Sequence, residues 1–229
     1  MLKRLTATEK AGFDRSGWVD IAAVLPDQTM RPLREAAEGL RCTAPSQDML
    51  SGIHNAFGYH ACRAQAWSFL DVGESHELLD CVEDVVGPDI ILWDSELYLH
   101  RLTPWPEEAS IWPADPLAGV IAAVAVETGA VLMLDIGRLQ AQSSVLRGCA
   151  DGTWYVIRYM PSTSLFDRDP RSRANRRAAQ VRPLVNYAKR PLWLVRGEDR
   201  RGNDFATGFS LPAARWINAG APHPSGTIR

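Results

Sequence analysis

The hydrophobic period of this chain changes at Gly87-Pro88, and that change limits the fold more than any other feature. Ahead of it the apolar residues recur at helical spacing. Met30, Leu33, Ala36, Ala37 and Leu40 form one stripe, with Arg34, Glu35 and Glu38 outside it, after an opening at Leu25-Pro26-Asp27 where proline's missing N–H does no harm. Leu78, Leu79, Val82 and Val85 repeat the pattern from His76 to Val86. After Gly87-Pro88 the period becomes two. Trp93, Ser95, Leu97 and Leu99 alternate with Asp94, Glu96, Tyr98 and His100, as in a strand with one buried and one polar face. Val120–Val126 and Ala130–Leu134 are short apolar runs bounded by glycine, and Trp154–Tyr159 is dense in aromatic and β-branched residues up to Pro161.

Helices first and strands afterwards imply an α+β fold in which a sheet closes or sandwiches around a core. At 229 residues with 46% hydrophobic content, the chain suits a single domain. It divides into a helical part over about 1–88, with a short extended piece at Gly17-Trp18-Val19, a β-rich part over about 89–162, and a polar, Arg-rich extension over about 163–229. Asp167–Arg182 reads as a surface helix or loop. A net charge of −2 gives no bias toward nucleic acid or membrane. The opening residues lack a signal-peptide apolar run, and no later stretch approaches a membrane span, so the expected compartment is the cytoplasm. Cys42, Cys62, Cys81 and Cys149 are scattered, with no C-x-x-C pair, and read as thiols in a reducing compartment.

The order of these pieces resembles the phytanoyl-CoA dioxygenase family of Fe(II)/2-oxoglutarate oxygenases. The likeness is carried by Phe13 with Gly17-Trp18-Val19 and Leu25-Pro26, and by Leu78-Leu79-Asp80 through Gly87-Pro88-Asp89-Ile90 and Leu92-Trp93-Asp94-Ser95. It continues in Pro104-Trp105 through Trp112-Pro113-Ala114-Asp115-Pro116-Leu117 and in Ile157-Arg158-Tyr159-Met160-Pro161. The resemblance implies a double-stranded β-helix, a cupin-like jelly roll, with N-terminal helices packed on it and a barrel shorter than the family's. It also implies an iron site of two histidines and one carboxylate, with an arginine for 2-oxoglutarate. This sequence departs from that pattern. Pro106 stands where the first histidine belongs and Glu108 where the aspartate belongs, while Gln140-Ala141-Gln142 follows the strand that leads to the second histidine. No histidine lies between His100 and His223, and Gly152-Thr153 replaces the expected arginine. The family's Pro-Gly-Ser-His turn is absent between Val126 and Gly129. No metal and no cofactor are therefore expected.

Glu108, Glu107 and His100 are the acid–base candidates. Trp105, Tyr98, Trp112, Arg138, Gln140 and Arg147 are the candidates for holding a substrate. Each has a plain alternative: solvated loop carboxylates for Glu107 and Glu108, core packing for the tryptophans, a polar strand edge for Arg138 and Gln140, and a solvent-facing side for Tyr98 and His100. His54, His60 and His76 have no ligand spacing with a carboxylate. Three functional readings stay open. One is a cofactor-independent biosynthetic enzyme of cyclase or isomerase type, or a binder, that holds a small organic molecule in the inherited cavity. Another is a non-catalytic accessory protein, paired as a homodimer or with an intact homologue. The last is an active oxygenase with an atypical site.

Overall fold

The computed structural model describes residues 4–22, 24–43, 48–55, 66–102, 108–142, 151–182 and 185–205, without the side chains of 140–142. Helix α1 (Ala7–Ser16) starts with a capping box in which Glu9 N–H donates to Thr6 Oγ1 at 3.2 Å and Thr6 N–H donates to Glu9 Oε2 at 2.7 Å. It ends at left-handed Gly17 and leads into strand β1 (Trp18–Ile21). Helix α2 (Asp27–Thr43) buries Met30, Leu33, Ala36, Ala37 and Leu40, the stripe read from the sequence. Strand β2 (Met49–Ser51) and helices α3 (Ala66–Gly73) and α4 (His76–Val86) follow. The turn at Gly87, φ 95°, then releases the chain into strand β3 (Ile90–Tyr98).

Beyond β3 come a single helical turn, α5 (Glu108–Ile111), and strands β4 (Ala114–Asp115), β5 (Val120–Ala125) and β6 (Val131–Asp135). A 3₁₀ helix (Ile136–Gln142), strands β7 (Trp154–Pro161) and β8 (Leu165–Phe166), and helix α6 (Arg173–Val181) follow. A second 3₁₀ turn (Tyr187–Lys189) leads to strand β9 (Trp193–Arg196). Seven strands form one antiparallel sheet in the order β1-β6-β5-β7-β3-β2, with β9 also on β3, and β4 pairs with β8 in a separate ribbon. The architecture is thus the expected mixture of helices and antiparallel sheet. Strands β2, β4, β8 and β9 and helix α3 are additions that the sequence pattern did not show.

Both faces of the large sheet are covered, which is why β5 and β6 read as unbroken apolar runs instead of alternating ones. One face presents Leu92, Leu97, Ala122, Val124, Met133, Tyr155, Ile157 and Tyr159 to the core shared with α2, α3 and α4. Tyr155 OH donates to Phe69 O at 3.0 Å and Tyr159 OH to Gly73 O at 2.9 Å, fixing α3 to β7. The other face carries Ile91, Trp93, Ile121, Ala123, Leu134, Val156 and Met160. It lies under Trp112, Ile136, Leu139, Phe166, Ala178 and Tyr187.

A bulge between Leu92 and Asp94 leaves Trp93 as the extra residue against β7. Trp93 packs in the second core, and the next residue, Asp94, also reaches that side to meet Arg158. All nine residues of β3 are buried. The polar side of β3 therefore does not face water, contrary to the solvent-exposed alternative for its strand residues.

Candidate functional site

The polar half of β3 needs partners, because a carboxylate removed from water without a countercharge costs several kcal/mol. Register supplies the first. Arg158 of β7 lies directly opposite Asp94 and is itself wholly buried. Its Nη2 donates to Glu96 Oε2 at 2.8 Å, its Nε donates to Glu108 Oε1, and its Nη1 lies 3.6 Å from Asp94 Oδ2. Glu108 is the first residue of α5, whose single turn drops it onto the sheet at 1% exposure.

The second partner, Arg182, caps the C-terminal end of α6. Its Nη1 donates to Glu96 Oε1 and, at 2.7 Å, to Tyr187 OH, while Nη2 donates to Glu108 Oε2 at 3.0 Å. Arg190 approaches from the other end, with Nε 3.1 Å from Asp94 Oδ1 but outside hydrogen-bond alignment. Tyr98 OH completes Glu96 by donating to Oε2 at 2.8 Å. Asp94, Glu96 and Glu108 thus face Arg158, Arg182 and Arg190, charge for charge. Beside them Trp93 is an aromatic hub, 4.8 Å from Trp112, 5.3 Å from Tyr187 and 5.7 Å from Phe166 between ring centroids.

The two strand carboxylates respond to this setting in opposite directions. Burial opposes charge on Glu96, but Arg158 and Arg182, with hydrogen bonds from Arg158 and Tyr98, outweigh it and hold the group below the usual carboxylate range. For Asp94 burial wins over the attraction of Arg190 and Arg158, and the carboxyl is pushed up. Arg158 is desolvated too, yet Glu108 and Glu96 keep it charged. His54, on the far side of β3, is also wholly buried and has its Nδ1 2.7 Å from Ser95 Oγ. Burial, with help from Arg190, lowers its pKa to about 3, so it is a neutral imidazole.

The sequence candidates separate into four groups. Glu108 and Tyr98 belong to the buried charge cluster. Trp112 is 2% exposed and packs edge-on against Trp93, the core-packing alternative. His100 is exposed just past β3, where its backbone carbonyl accepts from Gly152 N–H at 2.7 Å. Arg138 is also exposed and does not join Glu108. It donates to Asp14 O at 2.7 Å and lies 3.6 Å from Asp135. Glu107, Trp105 and Arg147 lie outside the described residues, as does the side chain of Gln140.

Sequence reasoning missed Arg158, Arg182 and Arg190. Arg158 had a readable signal: a lone cation in an otherwise apolar strand, while β3 offered two acids on one face. Arg182 and Arg190 had none, because they belong to a stretch whose composition matches a solvated surface.

Among the described residues no three His, Cys, Asp or Glu side chains are placed to hold one metal ion. The clustered carboxylates are taken by guanidinium groups, and the chain has no imidazole between residues 101 and 222. This donor set does not fit the two-histidine, one-carboxylate iron site. In addition, no helix among the described residues is long and apolar enough to cross a membrane.

No protein-family model matches the chain, and no curated protein matches its sequence. Its fold is nevertheless similar to solved structures of iron- and 2-oxoglutarate-dependent enzymes. CytC3 with Fe(II) and alpha-ketoglutarate aligns with a TM-score of 0.56 at 13% identity, covering 89% of this chain and 93% of that one. The epimerase SnoN, in complex with Fe3+, alpha-ketoglutarate and nogalamycin RO, aligns at 0.52 and 10% identity over 70% of this chain and 85% of that one. The alpha-ketoglutarate-dependent carbocyclase SnoK from nogalamycin biosynthesis aligns at 0.50 and 11% identity over 80% and 92%. At such identities the likeness establishes a shared fold.

Proposed function

We propose that this protein uses the 2-oxoglutarate oxygenase fold without iron or 2-oxoglutarate, as a small-molecule protein of biosynthesis that performs non-redox chemistry of the cyclase or isomerase kind. One observation carries the reading: Arg158 and Arg182 sit between Glu96 and Glu108 and supply the positive charge those carboxylates would otherwise find in a metal. A guanidinium never gives up its proton under ordinary conditions, so it is a permanent counterion. Two similar folds belonging to an epimerase and a carbocyclase support a biosynthetic role. The separate β4–β8 ribbon fits a shortened jelly roll of the phytanoyl-CoA dioxygenase type, with the seven-stranded sheet as its larger half.

The chemistry that remains is acid–base and positional. His100 is the exposed candidate, Glu107 stays a candidate from sequence, and Glu108 acts mainly by anchoring Arg158 and Arg182. The filled, self-neutralised interior also favours a second reading, a non-catalytic accessory protein that associates with itself or with an intact homologue.

Purified protein is incubated with Fe(II), 2-oxoglutarate and oxygen while succinate is measured, and native protein is analysed for bound metals. The expected result is no succinate above the uncoupled background and no stoichiometric iron. One tightly held iron per chain together with stoichiometric 2-oxoglutarate consumption would overturn the metal-independent reading.

A further inference from the structure

The carboxylates and Arg158 of the charge cluster are buried, with Arg182 and Arg190 at its partly exposed edge, but a cleft of about 990 Å³ lies nearby, where the end of α1, the turn α5, the 3₁₀ helix after β6 and the start of α6 converge. Its accessible apolar wall is Leu117, exposed, with the half-buried Ala109 and Ala114, and the buried Trp112, Ile136 and Leu139 lie behind it. Its rim is cationic: among the described lining residues Arg15, Arg138 and Arg173 stand against the single acid Asp14. Arg138 is oriented by its bond to Asp14 O and its approach to Asp135. Among the described residues Arg15 and Arg173 enter no ion pair, so their charge is available.

Helix α6 adds to the positive rim. Ser172 Oγ accepts the N–H of Asn175, which leaves the first-turn N–H groups of Arg173 and Ala174, both in the cleft wall, without a helical acceptor. The volume sits at the upper end of the range for small-molecule sites and far exceeds what a bare inorganic anion fills.

We propose that this cleft binds a small amphiphilic anion: a molecule whose carboxylate, phosphate or sulfonate meets the arginines and the start of α6 while a ring or acyl body lies on Leu117, Ala109 and Ala114. The inference takes from the proposed function only the expectation of a small-molecule ligand, and it adds the ligand's chemical class and address. The address lies outside the sheet interior, so a ligand reaches it without breaking the buried ion pairs. Trp112, buried behind the cleft wall, packs at right angles to Trp93 and links the cleft to the aromatic hub over the charge cluster.

The test uses anilinonaphthalene sulfonate, an anion on a fused-ring body, titrated into the full chain and read by fluorescence. Its neutral counterpart, phenylnaphthylamine, is titrated in parallel. Wild-type protein should bind the anion saturably at one site. Arg15→Gln with Arg173→Gln, both at exposed positions, should raise its Kd roughly tenfold, from the loss of charge-assisted contacts, and move that of the neutral probe less than about threefold. Leu117→Lys should weaken the neutral probe through the apolar wall. Urea midpoints of each variant should match wild type. Non-saturable binding, unchanged affinity in the arginine variant, or an equal loss for both probes would overturn the proposal. Metal analysis is independent of these titrations, so a failure here leaves the iron-free reading standing, and bound iron leaves the cleft standing.

Discussion

Replacing Arg158 by Met should cost about 3–5 kcal/mol, the range seen when one partner of a buried ion pair is removed. Methionine is unbranched and of similar reach, so packing along Trp93, whose ring lies 6.0 Å from the guanidinium carbon, is largely retained. What disappears is charge. Wild type sets Asp94, Glu96 and Glu108 against three arginines; the variant leaves three carboxylates to Arg182 and Arg190. Glu96 keeps Arg182 and the Tyr98 hydroxyl, Glu108 keeps Arg182 alone among the described residues, and one negative charge is uncompensated in a buried site. At this chain length the loss corresponds to a Tm lower by roughly 6–20 °C.

Urea unfolding followed by tryptophan fluorescence gives the free energies. Adding Glu108→Gln to Arg158→Met restores neutrality and should recover about 1–3 kcal/mol relative to additivity. The sign of the pH effect is fixed as well. In the single variant one carboxyl has a folded-state pKa raised above its unfolded value, so its stabilising contribution is present below the ordinary carboxylate range and lost as pH rises through the raised value. The gap between variant and wild type should therefore narrow on acidification. A loss below about 1 kcal/mol at pH 7 with no such narrowing would mean that water reaches these groups, and the reasoning from a sealed cluster would fail.

Four further outcomes follow from the structure. Glu96 has its folded-state pKa depressed, so its contribution is complete above the ordinary glutamate pKa near ~4.3 and lost as pH falls through the depressed value. Glu96→Gln should thus destabilise strongly at pH 7, with the difference closing in acid; a pH-independent difference would contradict the pairing. Asp94, pushed the other way by burial, contributes below its ordinary pKa and loses that contribution as pH rises, so Asp94→Asn should cost less than Glu96→Gln at pH 7 in the same urea series. Gly119 has φ 144°, and a Cβ there would collide with the Tyr159 carbonyl and lie 2.7 Å from Trp112 Cζ2, so Gly119→Ala should lose at least about 2 kcal/mol. Gly12→Ala, in a helix with open space around the added methyl, should instead gain about 0.4–1 kcal/mol, and equal effects at the two glycines would refute the steric account.

Helices α2 and α4 were legible because their burial is one-sided, and the stripe from Met30 to Leu40 is both the sequence pattern and the buried face of α2, whereas α3 and α5 were not read from the sequence. Strands β5 and β7 were legible by their density of apolar and β-branched residues. Alternation in β3 was legible too, but alternation reports only that two faces differ, not what covers each. Asp94, Glu96 and Tyr98 look the same in sequence whether they meet water or arginine. The answer lay some sixty residues and more downstream, in Arg158, Arg182 and Arg190, and contacts at that distance leave no periodic trace. Strands β2 and β9 escaped for a related reason. Each is short, and β9 is held by pairing with Ile90–Leu92 and by the ion pairs of Arg196 with Asp80 and Glu83, not by an alternating pattern of its own.

The order in which these charges appear along the chain has a consequence for synthesis. All three acids are made before any of their cations, and two of the cations, Arg182 and Arg190, follow more than seventy residues after the last acid. Until then the β3 acids have no complete set of counterions, and hydration is the cheaper state for them. A ribosome-bound chain ending at Pro170 should therefore still be cut readily by protease within β3, and one long enough for Arg190 to have left the exit tunnel should resist, which makes the emergence of Arg182 and Arg190 the moment at which the sheet locks.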